Sequence, residues 1–185
     1  MRKNFGAKPW LYPLPVLIVA AYDQAGVPNA MNAAWGGLCD ADKVMLCLSA
    51  GHKTTKNIQA TGAFTVSFAD ADHVIPSDYV GMVSGNREPN KWERSGFHAT
   101  KSDFVNAPLI DELPVAMECN FIGFNEEGNV IGQIVNVSID QSVLDGAGQL
   151  DLGKFRPIAF DPVHNGYHVL GERVGNAFQD GAALK

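Results

Sequence analysis

Cysteine is scarce in this chain: Cys39, Cys47 and Cys119 are three among 185 residues. The number is odd and no C-x-x-C pair occurs, which excludes a disulfide framework in a chain of this size. The three read as buried thiols of a cytosolic protein. Charge is sparse as well, at 18% Asp, Glu, Lys and Arg, and it leans acidic, with 14 basic against 20 acidic residues and a net charge of −6. A surface of that sign repels nucleic acid and anionic lipid, so no nucleic acid and no membrane is expected as a partner. Long hydrophobic runs are missing too. Val16–Tyr22 spans seven residues, too few to cross a bilayer. Arg2, Lys3 and Lys8 ahead of it imitate the basic end of a signal peptide, but Pro13 and Pro15 break the pattern, and the run reads as the first buried strand.

Several motifs are absent. Gly123 and Gly128 have the spacing of a phosphate-binding P-loop, but Asn129 stands where the lysine belongs. Gly81-Met82-Val83-Ser84-Gly85 is not the nucleophile elbow of a hydrolase, and no G-x-G-x-x-G follows a strand pattern. His164 and His168 would share one face of a helix, but the turn residues Asn165-Gly166 lie between them. They read as surface histidines rather than a metal pair. No internal repeat, low-complexity tract or linker divides the chain, so residues 1–185 are taken as a single domain.

What is present is a composition that is 46% hydrophobic with 19 glycines. It excludes disorder, and a chain of this length buries roughly 70% of its unfolded surface. Short apolar segments bounded by turn residues dominate: Val16–Tyr22, Ala30–Trp35, Val44–Ser49, Phe64–Phe68, Val115–Phe124, Val130–Ile139 and Tyr167–Leu170. Their lengths and their β-branched and aromatic content predict strands. The turn Asn125–Asn129 pairs two of them as an antiparallel hairpin, and a second turn falls at Asp145–Gly148. Helices are expected over Lys53–Thr61 with Gly62 as the stop, from Ser77 to Met82, and after Asn90 through Arg94. The fold class is mainly β, an antiparallel β-barrel with short helices.

Three neighbouring stretches are unusual. In Asn29–Gly37, small residues flank Trp35, so a flat ligand can lie on backbone with the indole closing one side; a tight core strand beside a bulge reads equally well. Ser49-Ala50-Gly51-His52-Lys53-Thr54-Thr55-Lys56-Asn57 runs from a strand end into a helix N-terminus rich in hydroxyls and cations, with no acid among them. Free N–H groups and the helix dipole at such an end favour a phosphate, and the alternative is an ordinary threonine-capped helix with solvated lysines. Gly81–Trp92, with Ser84, Gly85 and Lys91, reads by itself as a loop entering a helix.

Together these stretches resemble the flavin reductase-like family of FMN-binding split barrels. The resemblance is carried by Asn32-Ala33-Ala34-Trp35, Lys53-Thr54-x-x-Asn57-Ile58, Gly62-Ala63-Phe64, Ser84-Gly85 and Lys91-Trp92. It continues through Ala107-Pro108-Leu109-Ile110, Glu118-Cys119, Ile131–Val135 and Leu170–Gly175. Two positions depart from the family's pattern. Asp42-Lys43 replace consecutive prolines before the second strand, and His52-Lys53 stand where an arginine is common.

The resemblance implies a Greek-key split barrel of six strands, a homodimer, and FMN held non-covalently near the subunit interface. Backbone from Asn32, Ala33, Ala34 and Trp35 would line the isoalloxazine. Ser49, Ala50, His52, Lys53 and Thr54 would bind the phosphate end, and Ser84, Gly85 and Lys91 would approach from a loop. It implies no catalytic acid or base, because the cofactor carries the chemistry. The expected activity is that of an NAD(P)H-dependent flavin reductase, with NAD(P)H as electron donor. A flavoredoxin-like electron carrier without its own nicotinamide site is the alternative, and a redox protein partner is left open.

Overall fold

The structure, a computed structural model, describes residues 1–184. The chain enters through β1 (Leu14–Pro15) and β2 (Leu17–Tyr22), turns into β3 (Pro28–Ala33) and continues as β4 (Gly36–Asp40) and β5 (Lys43–Leu46). Helix α1 (Lys53–Thr61) leads to β6 (Ala63–Phe68), followed by α2 (Val74–Met82) and α3 (Lys91–Ser95). The short β7 (Ala99–Lys101) and β8 (Pro108–Ile110) precede a long hairpin, β9 (Val115–Phe124) and β10 (Val130–Ile139). A small helix α4 (Leu152–Phe155), then β11 (Ile158–Asp161) and β12 (Gly166–Val169), complete the body.

Seven strands form one antiparallel sheet in the order β3-β2-β6-β9-β10-β5-β4. Its two outer strands, β3 and β4, are consecutive in the chain and joined only through Ala34 and Trp35. The sheet therefore curls until its ends share one bent strand, which makes a barrel of six. Strands β5 and β6 follow one another in sequence yet flank the β9–β10 hairpin on opposite sides, the Greek-key return. The barrel is split because β5 pairs with β10 only from Val130 to Gln133, leaving the rest of β10 as an edge.

Strand β2 explains why its sequence is a continuous apolar run. One face, with Leu17 and Val19, joins the barrel interior around Leu46, Ile58, Phe64 and Val66. The other, with Ile18 and Ala20, packs under Val80 of α2, Phe97 and Ile158. A strand covered on both faces has no polar alternation to show. Inside the barrel Phe64 is fully buried, and a Cβ on Gly132 of β10 would lie 2.3 Å from its ring. Glycine is required there for the ring to seat.

The buried Glu118 of β9 binds the barrel to the loop after β7. Its carboxylate accepts hydrogen bonds from Ser102 and Ser138 hydroxyls and from Asn136 Nδ2 at 2.7 Å. Ser102 Oγ in turn accepts the N–H groups of Phe104 and Val105, both at 2.9 Å. Burial alone raises such a carboxyl; the three donors outweigh it and hold Glu118 below the ordinary glutamate value.

The hairpin strands β9 and β10 and helix α1 match the expected bounds, and Gly62 ends α1 in the left-handed region at φ 74° with its N–H on Ile58 O at 2.8 Å. Other expectations need correction. The segment Ala30–Trp35 is not one strand: it breaks at Ala34, and β4 follows on Gly36-Gly37, which carry no alternation to read. Helix α2 begins at Val74, three residues before Ser77, and Asn90 precedes α3 without a side-chain cap. Cys39 and Cys47 are exposed, because β4 is an edge strand and Cys47 lies just past β5; Cys119 alone of the three is buried. His164 and His168 are surface residues, 2.7 and 3.7 Å from the Asp161 carboxylate, and no cluster of three metal-ligand side chains occurs among the described residues.

Gly132→Ala should destabilise the fold by about 1–3 kcal/mol through overpacking on Phe64, measured by urea unfolding, with Gly37→Ala as the near-neutral control because its Cβ would meet nothing. Glu118→Ala should cost roughly 2–5 kcal/mol, since it leaves three donors unpaired around a cavity. The carboxyl is lowered in the fold, so its contribution is fully present above the ordinary value of 4.5 and is lost as pH falls through the lower folded value. The gap between wild type and variant should therefore narrow only in acid.

Candidate functional site

A cavity of about 230 Å³ opens where β3, the start of α1, the end of α2 and the loop into α3 converge. Asn29 and Asn32 come from β3, His52, Lys53 and Thr54 from the start of α1, and Ser84, Gly85 and Lys91 from the loop side. Asn29 Nδ2 donates to Thr54 Oγ1 at 2.6 Å, and Asn57 Nδ2 donates to Ala21 O at 3.3 Å, so α1 is docked on β2 and β3 at both of its turns. Two glycines allow the far wall to approach. A Cβ on Gly81 would sit 2.9 Å from Asn32 Cβ, and one on Gly85 would sit 2.4 Å from Asn29 Oδ1 and 3.2 Å from Lys53 Cγ. Asn86 Nδ2 ties the loop to Gly51 O at 2.9 Å, just ahead of α1.

The electrostatics of this cavity are positive. Helix α1 starts at His52 with no side-chain cap and no acid in its first turn, so its leading N–H groups and dipole are left to another acceptor. Lys53 is not a free cation: its Nζ lies 3.2 Å from Asp23 Oδ2 in the turn between β2 and β3. Asp23 is held below the usual carboxylate range, first by the Val27 N–H and further by Lys53. Lys91 differs. It is only 4% exposed, and among the described residues no carboxylate is paired with it. Burial without a counter-ion pushes its ammonium down to about 8.

A second cavity of about 250 Å³ adjoins the first across Asn32, Gly81 and Met82. Here Asn32 Nδ2 donates to Ser77 O at 3.1 Å, and Tyr167 donates to Asp78 Oδ1 at 2.8 Å. Burial, and then the Asp78 carboxylate, push the Tyr167 phenol up to about 12.

The structure thus gathers Asn32, His52, Lys53, Thr54, Ser84, Gly85 and Lys91 around one cavity. The other expected residues lie apart. Ala33 points into the barrel core, Ala34 lines the second cavity, and Ser49 and Ala50 are exposed on the loop ahead of α1. Trp35 is 58% exposed at the bend between β3 and β4. Asn29 was missed as a site residue although it begins the small-residue stretch, and Asp23, the partner of Lys53, carries no local signal at 30 residues' distance.

The flavin reductase like domain matches residues 10–159. Flavoredoxin of Desulfovibrio vulgaris (Miyazaki F) superposes with a TM-score of 0.93 at 35% identity, covering 98% of this chain and 100% of its own. Flavoredoxin from Methanosarcina acetivorans gives 0.89 at 25% identity, with both chains fully covered. An uncharacterized protein of Aeropyrum pernix is 26% identical over 120 residues, 64% of this chain; those residues span 46% of that longer relative. A domain match over most of the body, together with a 35% identical relative along nearly the whole length, places the protein in the flavin reductase like domain family.

Proposed function

We propose that the chain binds FMN non-covalently and works as an NAD(P)H-dependent flavin reductase. The observation that carries this reading is the uncapped N-terminus of α1 lining one cavity with a buried Lys91 that has no paired carboxylate, in a flavin reductase like domain. That donor set fits a phosphate monoester: free helix N–H groups, one fixed cation, and hydroxyls at Thr54 and Ser84. His52, Lys53 and Thr54 would hold the phosphate with Ser49 and Ala50 on the preceding loop, while Gly85 lets that wall close. Asn32, Ala33, Ala34 and Trp35 would run beneath the ring. Bound FMN would supply a ring that takes up one hydride, two electrons in all, and gives them up singly or as a pair. The protein's part is to orient it, shield it, and keep a positive end on its phosphate.

The 35% identity to a flavoredoxin favours a second reading, an electron carrier with no nicotinamide site of its own. A homodimer belongs to either reading. Trp35, Leu38, Val135, Val137 and Ile139 are exposed apolar groups, the last three on the unpaired half of β10, and a two-fold pair is the symmetric way to cover such groups.

Anaerobic mixing of the FMN-loaded protein with NADH or NADPH should bleach the flavin absorbance within seconds. Bleaching by dithionite alone would select the carrier, and failure to bind FMN in a titration would sink both readings. FMN should bind more tightly than riboflavin, which lacks only the phosphate. Lys91→Met should lower FMN affinity by about 1.5–3 kcal/mol, the size of a charge-assisted bond, and leave riboflavin nearly unchanged. Lys53→Ala should cost less, because Asp23 already shares its charge. Since Lys91 loses its proton near 8, FMN affinity should weaken as pH rises through that value while riboflavin affinity stays flat.

A further inference from the structure

The protein exposes 11212 Å² of surface, about 2,500 Å² more than the roughly 8,700 Å² expected of a compact folded monomer of 19.9 kDa. Two ends, residues 1–11 and 171–184, are exposed at every position. The C-terminal end is an organised arm. Its last bond to the body is Leu170 N to Pro157 O at 3.2 Å. Beyond that point its hydrogen bonds are its own: Arg173 Nε to Gly175 O at 3.1 Å, Asn176 N to Asp180 Oδ2 at 2.8 Å, and Ala182 N to Gln179 O at 2.9 Å. The arm nevertheless presents Val174, Phe178 and Leu184 to water, each more than 90% exposed. Phe178 also sits in the left-handed region at φ 63°, an unfavourable place for an aromatic residue. Nothing within one copy offsets the entropy of holding such an arm in shape.

The arm leaves from the rim of an apolar cavity of about 340 Å³, which Leu170 itself lines. The walls come from β1, β11, α4, the end of β6 and the start of β9, including Leu14, Phe68, Val115, Leu150 and Phe155. None of its lining side chains is polar, and it shares no residue with the flavin cavity. Such a lining cannot orient a polar ligand, but it matches an aromatic ring with an aliphatic neighbour. The arm's own cavity is not where Phe178 goes, since that ring is fully exposed. Because each arm starts at a cavity rim, a two-fold axis near the rim brings each arm to the other copy's cavity, residue for residue.

We propose that residues 171–184 are exchanged between two copies of this chain, with Phe178 of each seated in the apolar cavity of the other. The occupant is thus a second copy, and the surplus surface is of the size that an obligate dimer buries. The inference rests on the homodimer reading above but adds to it a specific arm and a specific seat.

Sedimentation of the full chain tests it, beside a chain ending at Leu170 and the single variant Phe178→Ser. The full chain should be a dimer at micromolar concentration, and both variants should raise its dissociation constant at least tenfold with the far-ultraviolet circular dichroism of the body retained. In a Cys39→Ser, Cys47→Ser background, chains carrying Phe178→Cys should form a disulfide-linked dimer when mixed and oxidised with chains carrying Leu150→Cys. A chain bearing both cysteines that closes only on itself would overturn the exchange. So would a dimer indifferent to removal of the arm, the result if a small apolar ligand fills the cavity instead. A monomeric full chain would overturn the homodimer reading along with it.

Discussion

The buried hydrogen bond from Asn29 Nδ2 to Thr54 Oγ1, at 2.6 Å, fixes the start of α1 against β3. The rest of the site is arranged around that contact. Gly85 fits its backbone against the same asparagine, where any Cβ would collide at 2.4 Å. Asn86 then fastens the loop to Gly51 at the helix entry. The helix end, the strand and the loop thus converge through one amide side chain, and the cavity is the space that their contact leaves. Thr54 serves as a wall anchor rather than as a helix cap, which is why α1 reaches the cavity with its leading N–H groups uncommitted.

Charge is distributed with the same economy. A chain of net charge −6 disfavours an anion almost everywhere on its surface. The exception is built by neutralising one lysine and burying another. Asp23 compensates Lys53, so this cation contributes position more than field. Lys91 has no such partner. Keeping an ammonium out of water without a counter-ion is costly to the fold, and the cost appears as the lowered affinity of Lys91 for its proton.

Legibility in the sequence followed the range of the interaction. The β9–β10 hairpin and α1 with its Gly62 stop were readable because turn chemistry and capping are local. The continuous apolar run of β2 was readable because burial on both faces leaves one signature. Strand β4 was not, since Gly36 and Gly37 carry no pattern and the pairing that defines the strand lies on Val44, Met45 and Leu46. The ion pair of Lys53 with Asp23 and the contact of Asn29 with Thr54 join residues 30 and 25 positions apart, and nothing in either neighbourhood announces them. Cys39 and Cys47 were misjudged for the same reason. Their exposure depends on which strand ends at the sheet's edge, a property of topology rather than of local sequence. Residue types around the cavity could be read; the charges they retain could not.

An unpaired buried lysine ties ligand binding to stability. A ligand that binds the folded state alone adds RT ln(1 + [L]/Kd) to its free energy of unfolding, about 2.7 kcal/mol at a hundredfold excess over Kd. On the proposed reading a phosphate beside Lys91 would also restore the counter-ion that burial denies it, so part of the gain would come from relieving a cost already present in the site. The clasp on Glu118 contains no comparable debt, since its carboxylate is met by three donors; around the barrel the buried hydroxyls of Thr55 and Ser67 lack partners but carry no charge. The rim thus holds a costly charge that the proposed anion would satisfy. On the proposed reading that cost would make the site selective, because a flavin without a phosphate would leave Lys91 as costly as before.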